Sequence, residues 1–371
     1  MEKNTSTFIG LMSGTSLDGV DGVLVNFPEH GGEALQLLAS AHQSFSPELK
    51  QQALALQQAG TNEIEREALL ANALARSYAD CVATLLAATN CDARQVRAIG
   101  VHGQTIRHRP DLGFTRQTNN PALLAELTGI DVIADFRSRD IAAGGHGAPL
   151  VPAFHRAMFG QPGRCSVVVN IGGISNISIL HADGRTTGFD TGPGNVLMDG
   201  WIHQHQGLAY DEGGSWAEQG QIHTAFLASL CSETYLQKIP PKSTGRDLFH
   251  LSWLMDKLVT FPDISAVDVQ ASLCAFTAQT IVDAIQLYAP QCEAVYVCGG
   301  GAYNVKLMRS LQALLGEIHL SSTDSLGIAA NHVEALAFAW LAQRFQLRLA
   351  GNLSEVTGAA GERILGALYP A

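Results

Sequence analysis

The sequence is poor in charge. Asp, Glu, Lys and Arg supply 15% of its 371 residues, and 23 Lys and Arg face 34 Asp and Glu, for a formal net charge of −11. No dense Lys/Arg cluster occurs, which argues against a nucleic-acid binder, whose surface carries a basic face. The seven cysteines are odd in number and none is in CxxC spacing, so neither a disulfide framework nor a zinc ribbon is encoded. Reduced, mostly buried thiols in a cytoplasmic protein are the expectation. No apolar run reaches the roughly 18 residues of a membrane-spanning helix. The apolar stretch 8–12 is broken at once by Ser13-Gly14-Thr15-Ser16, so no secretory core is read at the N-terminus. HExxH and GxSxG are missing, and His203 and His205 lie two apart, the wrong spacing for one helical face, so neither a zinc site nor a hydrolase elbow is expected.

What the chain does contain is 46% hydrophobic residues and 37 glycines, the profile of a compact α/β enzyme. Its length suits two domains better than one. Residues 8–27 read as strand, Gly-containing polar turn, strand; 47–89 have helical spacing; 98–108 read as a buried strand entering a glycine turn. A short helix (121–129), a strand (130–136) and a polar, Gly-rich loop (137–152) follow. At 165 the pattern restarts: strand, glycine turn, strand over 165–180, then a helix at 196–206. AVYVCGGGAYN (294–304) resembles AIGVHGQTIRH (98–108), and 331–345 is strongly helical. The expectation is two similar α/β halves, with 1–135 plus 346–371 forming one domain and 136–345 the other.

Three glycine turns stand out. In the first, Gly14-Thr15-Ser16-Leu17-Asp18-Gly19-Val20-Asp21, backbone N–H groups can converge on phosphate oxygens, Thr15 and Ser16 add hydroxyls, and Asp18 or Asp21 can hold a metal-bound water. Gly14 to Gly19 is a near miss for a P-loop, because Val20 and Asp21 stand where Lys and Ser/Thr belong. A plain polar hairpin turn is the alternative. In the second, Gly188 to Asn195, Asp190 ends a strand ahead of Gly192-Pro193-Gly194 and a helix start, where a carboxylate can orient Mg²⁺ or accept a proton. An Asx turn is the alternative. In the third, Gly299-Gly300-Gly301 before Asn304 lets a flat adenine or ribose approach the backbone, or makes a tight strand-to-helix turn. It fails the dinucleotide fingerprint, since Asn304 takes the last glycine position. Asn170, Gly172 and Gly173 sit on the second hairpin turn. His102, Gln104 and Thr105, with Arg137, Arg139 and Asp140, are candidates for sugar hydroxyls or an anionic arm. Glu334 is a carboxylate in an otherwise apolar helix, and buried there it needs a partner or a ligand.

Together the turns match the actin, sugar-kinase and heat-shock chaperone superfamily. Within it, GLMSGTSLDGVD (10–21), VHGQT (101–105), DFRSRDIAAGGHGAPLVP (135–152), VNIGGISNI (169–177), FDTGPGN (189–195) and CGGGAYN (298–304) closely resemble the anhydro-N-acetylmuramic acid kinase family. The resemblance implies two similar domains of actin-like (ribonuclease H-like) ATPase fold with the active site in the cleft between them. It implies the use of ATP and Mg²⁺ to open a 1,6-anhydro sugar with water and phosphorylate its O6, in cytoplasmic recycling of cell-wall fragments by a homodimer. By motif match, Gly14 to Asp21, with Asn170, Gly172, Gly173, Gly192, Gly299, Gly300, Gly301 and Asn304, would hold ATP. Asp190 would be the base. His102, Gln104, Thr105, Arg137, Asp140 and Glu334 would meet the sugar. Many sugar kinases place an Asp in the first strand; Met12-Ser13 stand there here, so Asp190, with Asp18, is left to position the metal.

Three rival readings remain at this point. A kinase for a related anhydrosugar such as levoglucosan differs in needing no cation for a lactyl carboxylate, for which Arg137 or Arg139 is the candidate. A sugar sensor or chaperone-like ATPase would carry a helix-turn-helix or a peptide-binding extension. A two-carboxylate glycosidase leaves the glycine turns unexplained.

Overall fold

The computed structural model describes residues 6–14, 17–28 and 35–371, and the chain divides into two compact units. The first comprises residues 1–154 with 332–371, the second 155–331. The strands, in chain order, are β1 (Thr7–Met12), β2 (Gly19–Asn26), β3 (Gln36–Ser44), β4 (Ala98–Val101), β5 (Gln104–Arg109), β6 (Phe114–Thr118), β7 (Val132–Ala134), β8 (Ser166–Ile171), β9 (Ile174–Leu180), β10 (Thr186–Pro193), β11 (Ala294–Cys298), β12 (His319–Ser322) and β13 (Ala367–Tyr369).

The two main sheets repeat one plan. In the first unit the order is β13-β7-β4-β1-β2-β3; in the second it is β10-β9-β8-β11-β12. Each opens with an antiparallel three-strand meander, and each then adds a strand parallel to its first and another parallel to that. This is the duplication expected from the restart at 165, in the order of two actin-like halves. Ser166–Ile171 is buried at every position and reads Val-Val-Val through its middle, as a central strand covered on both faces should. β3, at the edge of its sheet, has no fully buried residue.

Glycine spacing explains how helices meet the first sheet. Gly10 and Gly100 are paired neighbours on β1 and β4, and a Cβ on either would run into the backbone of the helix Val333–Gln346, at Ala335 O and Phe338 O. Gly22, by contrast, faces Cys81 Sγ of the helix Glu63–Thr89. Gly10 pairs with Val23, so Gly22 points to the other side, and the two helices cover opposite faces of the sheet. The division at 154/155 and 331/332 therefore differs from the expected 135/136 and 345/346. The helix Val333–Gln346 and residues 136–154 go with the first unit, because that helix docks on the glycines of β1 and β4. In the second unit the helix Ala266–Tyr288, capped by Ser265 Oγ accepting from Asp268 N–H, packs on β9 and β10. Among the described residues no helix is long and apolar enough to cross a membrane.

Candidate active site

The first glycine turn joins β1 to β2. Its described residues are anchored firmly. Gly14 O accepts from Leu17 N–H (3.3 Å) and from Gln104 Nε2 (3.0 Å). Ser13 Oγ donates to Gly103 O (3.2 Å) and meets Tyr78 OH at 2.7 Å. Leu17 takes a left-handed backbone (φ 57°) and buries its side chain. Thr15 and Ser16, expected on phosphate, lie outside the described residues. Asp18 is exposed. Gly19, Val20 and Asp21 are strand residues of β2. Val20 is in the core, and Asp21 bonds to His42 Nδ1 at 2.8 Å, with burial raising its carboxyl above the usual range. Within the expected run from Gly14 to Asp21, Val20 is a core residue and Asp21 pairs with His42.

The expected sugar-binding residues of this unit form two linked clusters. His102 Nε2 accepts from Arg137 Nε (3.0 Å) and Nη2 (2.9 Å), while Arg137 Nη1 donates to Gly147 O (2.8 Å). A guanidinium only donates, so His102 Nε2 must present its lone pair and the ring proton must sit on Nδ1. Burial, aided by the charge of Arg137, keeps this histidine neutral, with its pKa well below the ordinary value. Its Nδ1 side faces the backbone of Ser13 and Gly103, and Gln104 Oε1 has no hydrogen-bond partner among the described residues. Thr105 Oγ1 accepts from Gln117 Nε2 (3.0 Å). Asp140 is fully buried. Its Oδ1 accepts from Asn352 Nδ2 (2.6 Å) and Thr357 Oγ1 (2.7 Å), and its Oδ2 from Gly147 N–H (2.7 Å). With both oxygens engaged, Asp140 ties the 137–147 loop to the C-terminal segment. Arg139 is exposed. Glu334 is half-buried and stands in the first turn of its helix, where the N-terminal dipole favours a carboxylate.

In the second unit, Asp190 is half-buried on β10, at a bulge between Asp190 and Gly192. Thr244 N–H donates to its Oδ2 (3.0 Å) and Tyr235 OH to its carbonyl oxygen (2.8 Å), while its own N–H donates to Lys242 O (3.3 Å). The following turn closes on the β8–β9 hairpin. Gly173 O accepts from Gly194 N–H (2.9 Å) and Val196 N–H (3.1 Å), and Gly172 O from Asn195 N–H (2.8 Å). Gly172 and Gly173 thereby cap the helix Val196–Gln206 with their carbonyls, so the N–H groups of Gly194, Asn195 and Val196 have partners within the unit. The third glycine turn lies against this hairpin. Gly299 (φ 79°) donates its N–H to Ala330 O (2.9 Å), and a Cβ there would strike Asn170 Oδ1, a buried oxygen without a hydrogen-bond partner among the described residues. Gly301 packs on Ile171, while above Gly300 the nearest atom, Asn195 Nδ2, is 3.7 Å from where a Cβ would stand. Asn304 Oδ1 caps the helix Val305–Leu315 by accepting from Leu307 N–H (3.0 Å). Asn170, Gly172, Gly173, Asn195 and Gly299–Gly301 are thus one cluster, with Gly300 as its open position. Sequence reasoning missed Tyr235, Lys242 and Thr244, the partners of Asp190.

The anhydro-N-acetylmuramic acid kinase family model matches residues 6–371. The chain belongs to that family. It is 55% identical to the anhydro-N-acetylmuramic acid kinase of Burkholderia cenocepacia, over 98% of this chain and 96% of that one. It is 56% identical to the enzyme of the same name from Ralstonia nicotianae, over 98% and 97%, and 54% identical to that of Cupriavidus metallidurans, over 99% and 98%. Solved structures it is similar to include the activator of 2-hydroxyisocaproyl-CoA dehydratase from Clostridium difficile with bound ADPNP (TM-score 0.48, 13% identity, 92% of this chain and 98% of that one). A ROK family glucokinase from Streptomyces griseus with glucose and AMPPNP is another (TM-score 0.41, 14% identity, 91% and 99%).

Among the described residues no group of three or more His, Cys, Asp or Glu side chains is placed to hold a metal ion.

Proposed function

We propose that the chain uses ATP and water to convert 1,6-anhydro-N-acetylmuramic acid into N-acetylmuramic acid 6-phosphate and ADP, as a cytoplasmic homodimer recycling cell-wall fragments. The observation that carries this is the family match across residues 6–371.

The anhydro sugar has no free 6-hydroxyl, because O6 is locked in the bridge to C1. Asp190 takes a proton from water, and the water oxygen attacks C1. The C1–O6 bond breaks, and O6 attacks the γ-phosphorus as ADP leaves. Coupling the steps avoids a free alkoxide. Asp190, held by Thr244 N–H, is a carboxylate whose acceptor geometry is fixed before the substrate arrives. The turn after β1 takes the phosphates through backbone N–H groups, and the cluster around Gly300 takes the adenosine. His102 and Gln104 would meet the sugar, Gln104 with an amide oxygen that has no partner among the described residues. Mg²⁺ would be held by the nucleotide's phosphates with a carboxylate, for which Asp190 and Asp18 are the candidates, and would supply charge neutralisation at the transferring phosphoryl.

Removing a positioned base commonly costs about 10²–10⁴ in rate. Asp190→Asn is expected to lose turnover on that scale while its affinity for ADP, measured by calorimetry, stays near wild type. Retained turnover removes Asp190 from the base role. Kinetics on 1,6-anhydro-N-acetylmuramic acid beside levoglucosan test the substrate: comparable kcat/KM on both would overturn the muramic assignment.

A further inference from the structure

β10 is an edge strand, and an edge leaves N–H and C=O groups unpaired unless something covers them. At Asp190 the cover comes from a segment outside the sheet. Lys242 O takes the Asp190 N–H, Tyr235 OH donates to the Asp190 carbonyl, and Thr244 N–H reaches the carboxylate itself. The segment is in turn anchored. Lys242 Nζ donates to Leu236 O (2.8 Å) and lies over the rings of Phe189 (5.5 Å) and Tyr235 (5.1 Å), with Lys238 Nζ 5.8 Å from the Tyr235 ring. Leu236 packs beside Gly192, at the bulge.

We infer that residues 240–246 are a positioning strap for the base: Thr244 N–H fixes the rotamer of the Asp190 carboxylate, and Lys242 holds the strap in place. This rests on the reading of Asp190 as the base. The Tyr235 phenol and the Lys242 ammonium are among the titratable groups that feel the charge of Asp190. Burial raises the phenol, and the charge of Asp190 adds to that, so Tyr235 stays a donor. Burial lowers the Lys242 ammonium against the opposing pull of Asp190.

The test uses the full-length enzyme with ATP, Mg²⁺ and 1,6-anhydro-N-acetylmuramic acid. Thr244→Pro deletes the N–H, and its kcat is expected to fall roughly tenfold or more with KM for ATP held. Thr244→Ala keeps the N–H and is expected to restore wild-type kcat. Wild-type kcat in Thr244→Pro overturns the strap while leaving the base intact. Turnover in Asp190→Asn overturns both. Should Thr244→Pro fail to fold, Lys242→Met decides: a fall in kcat of roughly tenfold or more at unchanged KM for ATP supports the strap, and wild-type kcat refutes it.

Discussion

His155 lies fully buried near the start of the second unit, its Nδ1 bonded to Ser178 Oγ at 2.8 Å. Burial lowers its pKa to about 3. Burial, with the charge of Arg137, lowers His108 to about 4 and keeps His102 neutral as well. In the unfolded chain each titrates near the ordinary value of about 6.5, so below that pH the unfolded state binds protons that the folded state refuses. Stability contributed by these residues is therefore complete above about pH 6.5 and declines as the solution is acidified toward the lowered values. Urea unfolding at pH 7.5 and pH 5 should show this loss, and His155→Gln should remove about 2 kcal/mol of it. An unchanged pH slope in the variant would mean that His155 is protonated in the fold. At this same scale the sequence was readable only where identity carries the role. Asp190 and the three glycine turns announce themselves as strand-turn-helix punctuation. Thr244 does not, because it offers a backbone N–H that any residue but proline has. Asp140 was legible as a polar loop residue but not as a buried hub, since its partners Asn352 and Thr357 lie more than 200 positions away.

Among the elements, the helix Val333–Gln346 shows what periodicity can and cannot give. Its helical character was plain from spacing, and the β1–β2 and β8–β9 hairpins were equally plain from their turns. Where the helix docks was not, because docking is decided by distant glycines in register with one another. The repeated apolar-Ile-Gly-apolar wording of FIGL (8–11) and AIGV (98–101) was the available signal. At Gly100 an added methyl would meet the Phe338 carbonyl, a backbone atom that cannot rotate away. Gly100→Ala must therefore push the helix off the sheet, and overpacking of this kind is expected to cost at least about 2 kcal/mol, read as a fall in Tm. Gly10→Ala pushes on the same helix at Ala335, so the double variant should fall short of the sum of the two. An unchanged Tm in Gly100→Ala would show that the helix has slack against β4.

Over the whole molecule, the two units share a strand order but not a manner of being encoded. The second is one continuous stretch, 155–331, and its buried cluster from Cys165 to Leu315 is supplied entirely from within it. The first is assembled from both ends of the chain. Without 332–371, β1 and β4 lose the helix that covers Gly10 and Gly100, β7 loses its antiparallel partner β13, and the Asp140 carboxylate loses Asn352 and Thr357. A bared apolar face, an unpaired strand edge and a buried carboxyl group stripped of hydrogen-bond partners each disfavour folding, the last by roughly 1–3 kcal/mol on its own. Domains of about 150 to 200 residues with their own core fold independently. Expressed alone, residues 155–331 should therefore give a dispersed amide spectrum and a cooperative thermal transition, and residues 1–154 should give neither. Replacing 155–331 by a short Gly/Ser linker, so that 332–371 follows 154, should restore both to the first unit. A cooperative transition in the bare 1–154 fragment would show that the C-terminal helix and strand are dispensable to the core they cover, and that the glycine pair on β1 and β4 is not what makes this unit discontinuous.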